Sequence, residues 1–580
     1  MYLFYEKAFF IFGINNNMFS SVAYNHVDDE SSKIPQSATS GTERSKDAKN
    51  EAASNAKRMG ADHSISGDAP SAITRRVYHV FFKPQDSLGL AAFRILWGMM
   101  LIYEMYLFSR DDFKKMRIMF YSSAYRMPFR YMEWMVTPTI ANMEIIVYIA
   151  FIAAVGISCG CAYRISTIVF TILFAFMFFL EASFYLNHFY LLLIITFTMI
   201  FVPANARMSV DSLLYPMRFF KSRVPAWNYL IFKSIVFVVY SWAVIVKLNV
   251  DWLRGEPLRH WLNPSVAEGF PQIQYFLGRW YAPYVMSYGG IIIDVLQPLL
   301  LIQSGWLNVV GFIITIAFHT SNKILMNIGL FPFMCIILSS LFSDVSWPRR
   351  FTFDDDQTKD DEYEYTLYVR QKNGVYSASI WNGKIGFRQW VVVGFFVLWI
   401  AFLSLSPARF LLRTTREQQP WDEIYHDFSW RMKLRTKDCD GLFFAKFGND
   451  SYMVNPFQDK FMTLRQFKKS ISDPWHVRYL GNALADLLRD NHPQHIRPEI
   501  YTDVMCSLNY RFPMPFVLPD VDLTSDAVSG PVESWVIPLP DLSPHFRDQY
   551  PWNWDWRGII NGTVDMQKVH EKWMSSTLFR

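Results

Sequence analysis

Charge is scarce in this 580-residue chain: Asp, Glu, Lys and Arg together make up 18% of it, and the formal net charge is only +5. With no basic block to neutralise phosphates it is not built to bind nucleic acid, and with 51% apolar residues it is not mainly disordered. Cysteine is scarce as well, five residues too scattered for a disulfide scaffold and without zinc-ligand spacing. Cys159, Cys161 and Cys335 fall inside apolar runs, which leaves Cys439 and Cys506 as candidates to pair with each other. Signatures of soluble catalysts are missing too: there is no Gly-rich phosphate loop, no H-E-x-x-H and no dinucleotide fingerprint. An enzyme of this composition must draw its difficult chemistry from a membrane-borne cofactor or a lipid.

Aromatic residues are abundant, with 51 Phe, 30 Tyr and 20 Trp. A mean hydropathy of +0.09 is too mild for a wholly embedded chain, so it averages a very apolar part with a water-soluble one. About 20 apolar residues cross a bilayer's hydrocarbon core. Nine runs approach that pattern: Leu88–Phe108, Ile140–Ser158, Ile165–Ser183, Phe189–Val202, Tyr229–Leu248, Tyr284–Leu301, Trp306–Phe318, Ile324–Phe342 and Val391–Leu405. The expected fold is therefore a polytopic α-helical membrane protein of about nine spans with a C-terminal mixed α/β lumenal domain. Its expected parts are a disordered cytosolic tail over 1–80, a multi-pass transmembrane bundle over 81–405 and a lumenal domain over 406–580.

Basic loops around Arg164, Arg207–Arg223 and Arg349–Arg388 fall on the side of the N-terminal tail, as the positive-inside tendency asks. The segment Arg110–Arg130, with six basic residues, falls on the other side and disagrees. The sequons at Asn449 and Asn561 suit a lumenal position for the C-terminal part. The acidic stretch Asp354–Glu362 reads as a solvated loop, since its spacing is not that of a calcium loop.

Ionisable groups in or beside spans are costly and mark candidate sites. Lys247 closes the fifth span, Asn187 and His188 form the tight join between spans three and four, and His319, Asn322 and Lys323 the join between spans seven and eight. With nine spans all three places lie at the same membrane face. Lys247 read alone is also a snorkelling lysine, and the histidines read alone are also helix caps. Gathered together, they make a base and its helpers: a desolvated lysine gives up its proton readily, and a histidine beside it can orient it or steady a developing oxyanion.

A collinear set of segments includes Tyr163-Arg164-Ile165-Ser166, Asn187-His188, Ser209-Val210-Asp211, Val246-Lys247-Leu248 with Asp251-Trp252, Gly289-Gly290 with Asp294, Phe318-His319 and Trp347-Pro348-Arg349. In the C-terminal part the set continues through Trp421 with Ser429-Trp430, Ser507-x-Asn509-x-Arg511, Ser534-Trp535-Val536 and Asp541-Leu542-Ser543-Pro544. On these segments the chain resembles the vitamin K-dependent gamma-glutamyl carboxylases. The resemblance implies a peptidyl-glutamate 4-carboxylase of the endoplasmic reticulum membrane, a lyase that makes gamma-carboxyglutamate. Its co-substrates would be vitamin K hydroquinone, O2 and CO2, without metal, biotin or ATP. Quinol oxidation to the epoxide supplies the driving force for removing a C–H proton that no side chain reaches at neutral pH.

By the same resemblance Lys247 is the base toward the quinol and His188 assists it. Asn187, His319 and Asn322 line the cofactor site, and Trp421, Trp430 and Arg435 belong to glutamate binding. The implied partners are secreted or membrane proteins with Glu-rich segments, the enzyme that reduces vitamin K epoxide, and the lipid bilayer.

This chain also departs from the pattern. Val246 stands where the family has a second lysine. Tyr125 and Ala483 stand at both ends of a familiar disulfide, so that bond is expected to be absent. The sequence runs only 36 residues past Pro544, which puts recognition of propeptide-bearing substrates in question. One alternative keeps the quinol chemistry but uses a non-Glu substrate. A transporter is the other, and it would show an inverted repeat that the sequence does not display.

Overall fold

The computed structural model describes residues 71–539 except 263, 265–269, 327, 352–384, 413–418 and 512. The expected tail up to residue 70, the stretch Asp354–Glu362 and the Asn561 sequon lie outside the described residues.

The strand β1 (Pro84–Asp86) pairs antiparallel with β2 (Arg223–Pro225). Nine helices then stand where nine apolar runs were expected: α1 (Leu88–Phe120), α2 (Ile140–Cys159), α3 (Tyr163–Leu180), α4 (Asn187–Met199), α5 (Trp227–Lys247), α6 (Ala282–Leu301), α7 (Trp306–Met326), α8 (Phe331–Ser339) and α9 (Phe387–Leu405). Among the described residues six of them, α1, α2, α3, α5, α6 and α9, are long and apolar enough to cross a membrane. With 13 and 9 residues, α4 and α8 reach only about 20 and 14 Å, against a hydrocarbon core of about 30 Å. The expected number of spans is thus met by helices, but not by full-length crossings.

Close helix contact rests on small residues. A Cβ on Gly98 would come within 2.5 Å of the Ser158 Cα, so α1 and α2 touch backbone to backbone there. The hydroxyls of Thr167 and Thr171 are satisfied by their own helix, each donating to the carbonyl one turn back at 2.7 Å. The residues Gly156–Gly160 spell G-x-S-x-G, but they end a helix and Ser158 donates to the Ile95 carbonyl at 3.3 Å. A nucleophile elbow needs a strand-to-helix turn at that place.

The courses of α1 and α7 shape the bundle's polar end. Within α1 the backbone leaves the helix at Arg110–Phe113, with Asp111, Asp112 and Phe113 all in the left-handed region. The bend folds Lys115 back onto Glu104, a pair that a straight helix would hold about 16 Å apart. Toward the end of the bundle, α7 continues through His319, Asn322 and Lys323 to Met326. These residues therefore occupy the last turns of a helix and not the tight hairpin expected of them. His-Thr-Ser-Asn-Lys contains no helix breaker; the first is Gly329, at φ +61, with Pro332 soon after.

The C-terminal part is a four-stranded antiparallel sheet in the order β4-β3-β5-β6, made of β3 (Lys437–Phe447), β4 (Asp450–Val454), β5 (Glu499–Leu508) and β6 (Met514–Pro515). In β5 Ile500, Thr502, Val504 and Cys506 alternate inward, the period of a half-buried strand. The helices α10 (Leu464–Ser470) and α11 (Pro474–Asn491) pack with it, and Asp473 caps α11 by accepting from the His476 N–H at 3.0 Å. Cys439 and Cys506, opposite each other on β3 and β5, form a disulfide as expected.

Bundle and sheet domain are joined by specific bonds. Gln466 donates to the Tyr125 carbonyl at 2.8 Å, Trp261 Nε1 to Thr436 Oγ1 at 2.7 Å, and Asn509 Nδ2 to Asp251 at 2.7 Å, where Arg511 also pairs. Tyr125 stacks obliquely on Tyr479 of α11, one turn before Ala483, so a ring contact occupies the region where the familiar disulfide is missing. These contacts put Arg110–Arg130 on the side of the sheet domain. Its excess of cations has local uses: Lys115 pairs with Glu104, Arg117 with Glu144 at 2.8 Å, and Arg126 donates to the Leu180 carbonyl at 3.2 Å.

Candidate active site

A cavity of about 1010 Å³ lies where α1, α4, α5, α6 and α7 meet the segment 426–433 and α10. Helical spacing delivers its polar groups. Tyr240 and Lys247 are two turns apart on one face of α5, Asp294 and Gln297 one turn apart on α6, and His319 and Asn322 one turn apart on α7. Lys247 makes an ion pair with Asp294, and its Nζ lies 5.6 Å from the centroid of the Trp252 ring. Only 4% of the Asp294 side chain is exposed, so this is a desolvated pair at the edge of an apolar bundle.

Beside it, Gln297 Nε2 donates to Tyr240 Oη at 2.5 Å, and Tyr240 Oη lies 2.8 Å from His319 Nε2. In the tautomer with Nδ1 protonated, Tyr240 Oη donates to Nε2 while it accepts from the Gln297 amide. That Nδ1 is buried and has no hydrogen-bond partner among the described residues. A buried N–H without an acceptor is costly, and here it belongs to a ring that lines the cavity.

Across the cavity His188 sits at the start of α4 against the Gly329 turn. A Cβ on Gly329 would come within 2.9 Å of the imidazole Cε1, and φ there is +61, so both space and backbone ask for glycine. Lys323 Nζ donates to the Gly329 carbonyl at 3.0 Å and ties α7 to the same turn. Asn187 accepts from Tyr185 Oη at 3.0 Å. The cavity thus brings together Lys247, His188, Asn187, His319 and Asn322.

Trp421, Trp430 and Arg435 are not among its lining residues. Both indoles are buried in the core, Trp421 donating to the Ile537 carbonyl at 2.7 Å and Trp430 tilted against Tyr190, while Arg435 pairs with buried Glu423. Large aromatics flanked by apolar residues serve as anchors here. The segment they fix reaches the cavity through His426, Arg431, Met432 and Lys433 instead. Burial, with the cations Arg435, Lys469 and Arg431 nearby, holds the His426 imidazole well below its usual range, and burial lowers the Arg431 guanidinium to about 10.

Asp294, Tyr240, Glu104 and Arg431 escaped the sequence reading as site residues. The rule that marked Lys247, an ionisable group in a span, applies equally to Asp294 and Glu104. Tyr240 is marked only by its seven-residue spacing from Lys247.

Two family models match the chain. The HTTM domain covers residues 82–347, and the lumenal domain of vitamin K-dependent gamma-carboxylase covers residues 388–541. No solved structure matches.

Proposed function

The chain belongs to the gamma-glutamyl carboxylase family, and from that premise we propose that it carboxylates peptidyl glutamate in the endoplasmic reticulum membrane, coupled to oxidation of vitamin K hydroquinone. The observation that carries the proposal is the orphan Nδ1 of His319 in a cavity that Lys247 also lines. An amphipathic quinol, with an apolar ring and two oxygens, suits such a place: Phe318, Phe331 and Met286 offer apolar wall, and the imidazole N–H lacks an acceptor. Bound there and oxidised by O2 to the epoxide, the quinol supplies the strong base that the C–H beside a side-chain carboxylate requires, and CO2 becomes the new carboxyl group.

The chain's own residues hold protons and exclude water. Lys247 accepts the quinol's proton in the neutral form of its pair with Asp294, in which Asp294 holds the proton that the ammonium carried and fixes the amine's position. Tyr240 and Gln297 hold the His319 ring in one tautomer, so that its free N–H steadies a negative oxygen. His188, braced by the Gly329 turn, serves the opposite wall. The apolar bundle keeps bulk water away from base and substrate.

The Cys439–Cys506 disulfide and the exposed Asn449 at the β3–β4 turn support an oxidising, glycosylating lumen for the sheet domain. Glu-bearing secreted or membrane proteins would be its substrates, and an epoxide-reducing enzyme would recycle the quinone. The test is a membrane preparation given hydroquinone, O2, labelled CO2 and a Glu peptide: label in the peptide together with epoxide supports the proposal, and epoxide without label assigns the chain to another substrate.

A further inference from the structure

We propose that Arg431 is the receptor for the substrate's side-chain carboxylate, an assignment that rests on the carboxylase reading and gives it a second anchoring point.

Arg431 is 6% exposed, lines the cavity, and has a buried Nη1 with no hydrogen-bond partner among the described residues. Its guanidinium lies 5.4 Å from the Phe410 ring centroid, an apolar neighbour that offers no acceptor to Nη1. Leaving a buried cation without an acceptor is expensive unless a ligand supplies one. Arg435, four residues on, has an orphan Nε of its own but pairs with Glu423, an ion pair that Arg431 lacks among the described residues.

Asp422 and Glu423 act on Arg431 through space, but neither forms an ion pair with it among the described residues. The acidic residues lining the cavity are Glu104, Asp111 and Asp294, and each already has a basic partner in Lys115, Arg110 or Lys247. Lys433, Arg465 and Lys469 line the same end as Arg431, with Glu181 acting on Arg465 and Lys469 acting on Asp427 and Asp473 through space. A desolvated guanidinium with an open Nη1 facing the cavity lining fits a carboxylate, which takes two parallel N–H bonds.

The local fold makes Arg431 a fixed receptor. Trp430 is buried against Tyr190, Ser429 Oγ donates to the Tyr425 carbonyl at 2.6 Å, and the Met432 N–H donates to the Trp430 carbonyl at 2.9 Å. Pinned on both sides, the residue between Trp430 and Met432 has little freedom left to lose on binding. The cavity then has two addresses, a proton-handling end at Lys247 and a carboxylate end at Arg431.

The test measures binding without quinol, so it is separate from catalysis. Full-length protein in detergent is titrated with a fluorescent pentapeptide carrying Glu and with its Gln counterpart. Wild type is expected to prefer Glu by about 30-fold, the value of a charge-assisted bond, and Arg431→Gln to bring that preference near unity. A preference retained by Arg431→Gln overturns the assignment. Arg431→Met gives an independent measure: removing an unsatisfied buried charge should raise the thermal midpoint while Glu preference is lost. A lowered midpoint with binding lost would give Arg431 a packing role and overturn the proposal. A wild type that prefers Glu yet forms no carboxylated product overturns the reaction assignment and leaves the receptor standing. One that prefers neither peptide overturns the receptor.

Discussion

At the membrane end of the cavity Lys247 is ion-paired with Asp294 and Lys115 with Glu104, whereas at the sheet-domain end Arg431 has a buried Nη1 without a hydrogen-bond partner among the described residues, and Asp422 and Glu423 act on it only through space. Both ends are desolvated, so the difference lies in compensation. A compensated pair holds its geometry at rest and suits a group that must be in place before substrate arrives. An uncompensated cation stores a demand that an anionic substrate meets. Charge balance therefore separates the proton-handling end from the recognition end of one cavity.

The largest effect that would break this comparison lies at the membrane end. Lys247→Ala should lower epoxide formation by about 1000-fold or more, as loss of a proton acceptor does, while leaving the Glu-over-Gln binding preference at Arg431 intact. Asp294→Asn should cost about 3 kcal/mol of stability, because it breaks a buried pair and strands the lysine, and should slow epoxidation by about 100-fold. Denaturant or thermal unfolding beside the rate measurement checks both. The stability effect is opposite in sign to that of Arg431→Met, and equal signs at the two ends would dissolve the distinction.

Much of the fold was legible because membrane helices announce themselves by length and apolarity, and a single chain of nine runs set the order of elements. The site was legible where one ionisable residue stood beside an apolar run, as Lys247 and His188 did. It was not legible where the decisive fact is a partner: nothing in Arg431 and Arg435 as letters says that the second has Glu423 and the first has no acceptor. Trp421 and Trp430 misled for a related reason, since an indole serves equally as a binding wall or as an anchor, and burial alone decides. The hairpin expected at His319 failed because polar residues do not by themselves end a helix; only Gly329 and Pro332 do so there.

A smaller change sharpens the membrane end from its far wall. Gly329→Ala should displace the His188 ring, since the new Cβ would stand 2.9 Å from Cε1; epoxidation is expected to fall by about 10-fold, with Glu binding unaffected. Steady-state rates and peptide titration on the same preparation separate the two.

A separate effect, read as stability and not as rate, concerns the sheet domain that carries the recognition segment. Burial raises the Asp422 carboxyl to about 7, above its unfolded value near 4. The unfolded chain therefore releases this proton first, and stability falls as pH rises from about 4 to about 7. Asp422→Asn should flatten that slope by on the order of 2–4 kcal/mol across the window, read from denaturant midpoints at several pH values.

The central claim is that one cavity couples proton removal at Lys247 to carboxylation of a bound glutamate. It is tested most directly by scoring epoxide and labelled CO2 in the same membranes for wild type and Lys247→Ala, with the variant's expression and peptide binding matched to wild type. The account expects both products from wild type and neither from the variant. Epoxide formed by Lys247→Ala at the wild-type rate would contradict it.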